Sequence, residues 1–328
     1  MARFSSLLAS AACVVVPLVA LVVPGLTEPT QIATITGTQG LENIAVRSSG
    51  ELLVTSTTSN LIFMVFPDGG RDPVAVAELD SSFNATLGIA ELTRDVFYVI
   101  GAQVNGLTMI SGSAGIWKVD LRPMTLQGGA VSQPADVSLL TAIPSAQLLN
   151  GLCRLAENDT EHILISDSVA GSISRLNVET LEYETVISDE TMRVTTSSIA
   201  IGIDGIRIFQ NTLYFTNINQ ALFASVPISL VDGTATGPIE VIADLSQGDD
   251  FAITPDGQKA IVAQNGLMTL ASIDLSSGSV QVIANSTLLS ATSSLAFGRR
   301  CADSKSIYVS GSASMGDTTV GSVLKLEL

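Results

Sequence analysis

Leu41–Pro67 reads LENIAVRSSGELLVTSTTSNLIFMVFP. An alternating apolar run leads to a Ser49-Gly50 turn, a β-branched run ending in Val-Thr-Ser, a second turn and a third apolar run. Period-two alternation broken by Ser-Gly signals reads as hairpin-linked strands. The pattern returns in Asn150–Val178 (NGLCRLAENDTEHILISDSVAGSISRLNV) and Asp204–Ile228 (DGIRIFQNTLYFTNINQALFASVPI). Looser copies occupy Leu87–Leu121, Asp249–Leu275 and Ser294–Leu328. Openers spaced by roughly 45 to 60 residues, each followed by several short strands, mark propeller blades. The expected fold is all-β, a six-bladed β-propeller, with chemistry placed at the mouth of its central channel.

Each blade needs a fourth, outermost strand. Short β-branched runs supply it at Pro73–Leu79, Val137–Ile143, Tyr183–Ile187, Ile239–Ala243 and Val280–Ala284. Blade six ends at Leu328 without one, but Gln31–Thr36 (QIATIT) stands ahead of blade one. That N-terminal strand is expected to complete the last blade and leave no open sheet edge at the seam. Three segments exceed the basic blade: Ala102–Gly115, Arg122–Asp136 and Asp189–Ile201. They are expected as loops or short helical excursions, of the kind that covers a binding face.

The chain opens with Arg3, an apolar run from Phe4 to Val23, then Pro24-Gly25. One positive charge, an apolar core and small residues read as a secretory signal over residues 1–25, leaving a propeller over 26–328. Three sequons fall between strands, at Asn84, Asn158 and Asn285, and are candidate glycosylation sites. The expected location is outside the cell or in the secretory lumen, with no membrane contact once the signal is cleaved. Removing Arg3 takes the formal charge from -16 to -17, which disfavours nucleic acid and acidic membranes as partners. Cys153 and Cys301 belong to blades three and six, across the ring, so two unpaired thiols are expected.

Polar residues at the blade openings converge on the channel: Glu42-Asn43, Thr86, Asn150, Asp204, Asp249-Asp250 and Ser293-Ser294. Oxygen donors from several blades suit a hard cation such as Ca2+. The candidate metal ligands are Glu42, Asn150, Asp204 and Asp249 or its neighbour Asp250. Asn-Gly and Asp-Gly are also common turn dipeptides. The candidate catalytic residues are Glu42, Asn150, Asp250 and Phe251, the last because it follows the carboxylates at the channel register. Trp117 reads as packing between blades. The single histidine, His162, reads as a surface turn residue, which disfavours a Ser-His-Asp triad and histidine-ligated zinc. No P-loop, Cys-x-x-Cys or dinucleotide fingerprint follows a strand.

The segments Gly40–Val46 (GLENIAV), Leu148–Leu152 (LLNGL), Gly202–Ile206 (GIDGI), Leu213–Asn217 (LYFTN), Gly233–Ile242 (GTATGPIEVI), Gly248–Ile253 (GDDFAI), Ala296–Arg299 (AFGR) and Ile307–Ser310 (IYVS) carry a resemblance. The chain resembles secreted fungal members of the senescence marker protein/gluconolactonase/strictosidine synthase-like six-bladed propellers, across essentially its whole mature length. The resemblance to the lactonases implies a divalent cation held by Glu42, Asn150, Asp204 and Asp249 or Asp250. Here blade one reads Leu-Glu-Asn in place of Glu-Gly-Pro, and Asp204 stands where the lactonases have Asn. Overall texture is closer to propellers of fungal natural-product clusters, some of them hetero-Diels–Alderases. These join a quinone-methide or polyketide-derived heterodiene to a terpene alkene. That resemblance implies a cyclase acting on a small hydrophobic substrate, requiring no cofactor for cyclisation and working as a monomer. The alternatives are a Ca2+-dependent lactonase and a non-enzymatic secreted binding protein.

Overall fold

The computed structural model describes residues 26–106, 108–195 and 199–328. The signal expected over 1–25 lies outside the described residues. The strands form a ring of six four-stranded antiparallel sheets, each the blade of a propeller. From the axis outward, blade one is Leu41–Val46, Leu52–Ser56, Leu61–Val65 and Val74–Glu78. The outer strands predicted from β-branched runs agree with those observed to within a residue or so: Asp136–Ala142, Tyr183–Ser188, Glu240–Asp244 and Val280–Asn285. The last blade runs Thr292–Phe297, Ser306–Met315, Thr318–Glu327 and, outermost, Thr30–Ile35. The N-terminal strand pairs antiparallel with the C-terminal one, Thr30 opposite Lys325 and Ile35 opposite Gly321. The ring therefore closes as the sequence predicts.

The core is divided into six apolar clusters, one at each junction between neighbouring blades. Each sheet is covered on both faces, so inner strands are apolar almost throughout; all of Leu52–Ser56 is buried. Trp117 lies in the cluster between blades one and two, edge-on to Phe83 at 5.2 Å, which bears out its reading as packing. Cys153 and Cys301 are unpaired, one buried and one exposed.

Two of the three long segments differ from expectation. Ala102–Gly115 contains a small hairpin, Val104–Asn105 with Thr108–Met109, and the segment after Arg122 contains another, Thr125–Gln127 with Ala130–Gln133. Only the third holds a helical turn, Glu190–Met192. Gly106, Gly128 and Gly129 supply the left-handed backbone that tight hairpins require.

Every innermost strand carries the same irregularity. Between Leu41 and Ile44 the register advances three residues while the partner strand advances two. The same single-residue slip occurs in all five other blades. It is a β-bulge, which leaves backbone groups unpaired and re-aims side chains. Hydroxyls on the second strand take up those groups. Ser166 accepts from the Gly151 N–H and donates to the Asp204 carbonyl, both at 2.7 Å. Thr216 accepts from Gly205 N–H at 3.1 Å and donates to the Asp249 carbonyl. Ser310 donates to the Glu42 carbonyl at 3.0 Å, and Thr55 accepts from Asn43 N–H at 2.9 Å. In three of these blades the hydroxyl thus ties its own blade to the channel residue of the next.

The glycine in the second bulge position is there for space. A Cβ on Gly205 would stand 2.2 Å from Asp250 Oδ1 and 2.9 Å from its Cα. Gly205→Ala should therefore destabilise the protein by about 1–3 kcal/mol in urea unfolding. Gly70→Ala, which meets nothing within 4 Å, should leave the midpoint close to wild type.

Candidate functional site

The bulges decide which residues face the axis. The first residue of each bulge lines a cavity of about 430 Å3 at one mouth of the channel, one residue per blade: Glu42, Leu87, Asn150, Asp204, Asp249 and Ser293. The second does not line it. It is Gly88, Gly151 or Gly205 in blades two to four, and Asn43, Asp250 or Ser294 in the others.

The cavity therefore brings together Glu42, Asn150, Asp204 and Asp249, and separates them from Asp250 and Phe251. Asp250 is turned aside into a polar knot. Its Oδ2 accepts from Asn43 Nδ2 at 3.0 Å and Ser294 Oγ at 2.7 Å and pairs with Arg207, while Oδ1 accepts from Phe251 N–H at 2.8 Å. Its place is structural, joining blades one, four, five and six. Phe251 is fully buried, packed edge-on against Phe223 at 4.9 Å between blades four and five, and reaches no ligand space. Thr86, also expected at the channel, precedes the bulge; its hydroxyl accepts from Ser56 N–H at 2.8 Å, and Leu87 takes the axial position.

Among the described residues, ligand oxygens of Glu42, Asp204 and Asp249 lie within 4.8 Å of one another, all three residues buried. Asn265 Nδ2 donates to Asp249 Oδ2 at 2.9 Å. Among the described residues, no hydrogen-bond donor reaches the carboxylates of Glu42 or Asp204, and no cationic side chain pairs with any of the three. Burial, followed by the neighbouring carboxylates, pushes Glu42 and Asp204 well above the ordinary carboxylate range. Burial pushes Asp249 up to about 7, opposed by the Asn265 amide and reinforced by the charge on Asp250. Three crowded, uncompensated carboxylates can be relieved by protons or by a hard cation.

Apart from Thr57, Ser312 and two amides, the rest of the wall is apolar, and no sequence pattern points to most of it. Leu148 and Ile218 stand beside the ring, while Val104 of the first hairpin and Ile199 and Ile201 of the segment after blade three close over it. Gln247 and Asn265 complete the polar side. Gln247 sits at φ 55, a left-handed conformation unusual for a residue with a side chain, and its carbonyl accepts from Asn265 N–H at 2.9 Å. No motif marks these residues; Asn265 follows a strand end and reaches the ring through the hairpin.

His162 lies away from this mouth, at the other end of its strand. It is half-buried and opens the strand His162–Asp167, where the sequence suggested a surface turn. Asn177 Oδ1 accepts the N–H groups of Glu179 and Thr180, so its Nδ2 faces His162 Nε2 at 3.0 Å. Nε2 thus faces an amide donor, and Nδ1 lies 3.0 Å from Asp159 Oδ2. The sequon residues Asn84, Asn158 and Asn285 are all exposed. The Asn84 amide binds both backbone groups of Val104, at 2.8 and 3.0 Å.

The comparisons with known proteins agree with this architecture. The chain matches no family model. Two curated relatives match it along most of its length. A protein of Phoma sp named as a hetero-Diels-Alderase is 27% identical over 297 residues, 83% of each chain. Another so named, from Sarocladium schorii, is 26% identical over 309 residues, 83% of this chain and 75% of that one. Among solved structures, the calcium-binding protein regucalcin from Agrobacterium tumefaciens superposes with a TM-score of 0.58 at 15% identity, covering 90% of this chain and 94% of its own. A gluconolactonase from Xanthomonas campestris does so with a TM-score of 0.57 at 12% identity, covering 92% and 89%. At these identities the two structures establish the shared fold. No helix among the described residues is long and apolar enough to cross a membrane.

A carboxyl held above its unfolded value favours the folded state while it is protonated. The Asp249 contribution is thus present below about pH 4 and lost as the pH rises through about 7. In metal-free buffer the calorimetric unfolding temperature should fall across that interval. Asp249→Asn should flatten the fall.

Proposed function

We propose that this protein is a cyclase of the hetero-Diels–Alderase kind, joining a quinone-methide or polyketide-derived heterodiene to a terpene alkene. The observation that carries the reading is the division of the cavity into an apolar wall and an acidic floor, supported by the two relatives so named. The cycloaddition forms one carbon–carbon and one carbon–oxygen bond and loses no atom, so it needs no nucleophile. It needs two reactants held in register and charge stabilisation at the heterodiene oxygen. Leu87, Val104, Ile199 and Ile201 would hold the alkene and exclude water. A protonated Glu42 or Asp204 would donate to the carbonyl oxygen and draw electron density from the diene. Burial raises both carboxyls well above the ordinary range, which favours the protonated, donating form.

The same floor fits a hard divalent cation. Glu42, Asn150, Asp204 and Asp249 would hold it, and two of the carboxylates have no protein donor to displace. Bound there, it would supply Lewis-acid polarisation of a carbonyl. This donor set favours a second reading, a Ca2+-dependent lactonase. A non-enzymatic binding protein would use the cavity without turnover. The substrate is small and hydrophobic in the first reading, and the protein works as a secreted or lumenal monomer. Of the three sequons, Asn158 and Asn285 have side chains free to carry glycans.

Incubation with a humulene-type alkene and a quinone-methide precursor should raise the rate and fix the stereochemistry of the adduct. Yield and stereochemistry equal to those of the protein-free reaction would refute the cyclase. Glu42→Leu should lower the rate by about 100-fold, with Glu42→Gln, which retains a donor, affected less. The lactonase instead predicts lactone hydrolysis that EDTA abolishes and calcium restores.

A further inference from the structure

Below the bulges, each inner strand turns one more side chain towards the axis. Five are small, Ala45, Ala90, Cys153, Ala252 and Ala296, and the sixth is Arg207. The room they leave is a second concavity of about 410 Å3 at the opposite mouth of the channel, rimmed by Phe209 and Phe297. None of its lining residues lines the acidic cavity. The knot around Asp250 lies in the layer between the two.

Charge distinguishes this bowl from the rest of a chain whose formal charge is -16. Arg207 donates from Nη1 to the Ile206 carbonyl at 2.8 Å and from Nη2 to Asp250. Its Nε makes no hydrogen bond within the described residues. Arg299 is paired with Glu91. Arg154 differs: its bonds all go to the backbone carbonyls of Glu91, Leu92 and Glu157. No carboxylate lies within ion-pair distance of it among the described residues. Glu91 lines the bowl too, held by Arg299; Arg154 has only the more distant Glu157 and Asp159 besides it, and Arg207 keeps spare donors beside an apolar ring.

We propose that this far mouth is a second binding site, for a small apolar monoanion such as an aromatic or short aliphatic carboxylate. The carboxylate faces the unused Nε–H of Arg207 and the one Nη1 hydrogen that the four backbone bonds of Arg154 leave over, both charge-assisted donors. The hydrocarbon part occupies the space above the alanines, between Phe209 and Phe297. The acidic cavity has no cationic side chain in its lining to pair with an anion, so an anionic probe selects between the two mouths.

The probe is 1-anilinonaphthalene-8-sulfonate, whose fluorescence rises in apolar surroundings, titrated onto the full-length protein. 4-Phenylbutyrate should displace it at concentrations about tenfold lower than the neutral 4-phenylbutanamide does. Ala296→Phe and Ala252→Leu, which fill the bowl, should each weaken probe binding by about tenfold. Ile199→Phe, in the acidic cavity, should leave it unchanged. Equal competition by acid and amide would overturn the proposal. So would wild-type probe binding by both bowl-filling variants with unfolding temperatures near wild type, or loss of binding only in Ile199→Phe.

Discussion

The bulge in each innermost strand is the constraint on which the site depends. An antiparallel pair in register sends successive side chains to the two faces of its sheet, towards the neighbouring blades, whereas a bulge re-aims one towards the axis. One extra residue per blade does so six times. It also leaves N–H and C=O groups unpaired in a buried place, where each costs about 1–3 kcal/mol unless satisfied. Ser166, Thr216 and Ser310 take up this burden, and in doing so they bridge to the next blade. The hydrogen bonds that make the bulges tolerable are the same ones that fix where Glu42, Asp204 and Asp249 stand.

This division explains the electrostatics. Asp249 and Asp250 are adjacent in sequence yet live in different surroundings. Asp250 is saturated by Asn43, Ser294 and Arg207. Asp249 faces two other buried carboxylates with a single amide donor. The ring at the mouth is thus held in a state that favours protons or a cation, while the layer beneath it is neutral and tied together.

Much of this was legible in the sequence. The six-fold recurrence, the outer strands and the displaced strand at the N-terminus follow from period-two patterning and turn residues, which are local signals. Glu42, Asn150, Asp204 and Asp249 share the cavity because the blade openings share a register. What failed was resolution at the level of one residue. A bulge flips the assignment of neighbours, so the sequence pattern points to Thr86 where Leu87 faces the axis, and to Asp250 and Phe251 where Asp249 does. The hydroxyl signature of the bulge was present in the second strands, as Val-Thr, Ile-Ser, Phe-Thr and Val-Ser, but its meaning depends on a partner in another blade. Val104, Ile199 and Ile201 were illegible for a different reason, since which loop folds over a mouth is set by long-range packing.

The seam has a consequence for how the molecule comes into being. Thr30–Ile35 is the first of the described strands to be made, and it pairs with residues 321–325 of the last of them. During synthesis five blades can assemble against their neighbours, but the ring cannot shut until Thr318–Glu327 has been released. Until then the first strand has no partner and the apolar face of blade one that meets blade six is bare. Such an intermediate is long-range in its missing contacts and prone to associate with other chains. The final pairing then converts an open arc, which could shed blades one at a time, into a closed circle whose two termini restrain each other.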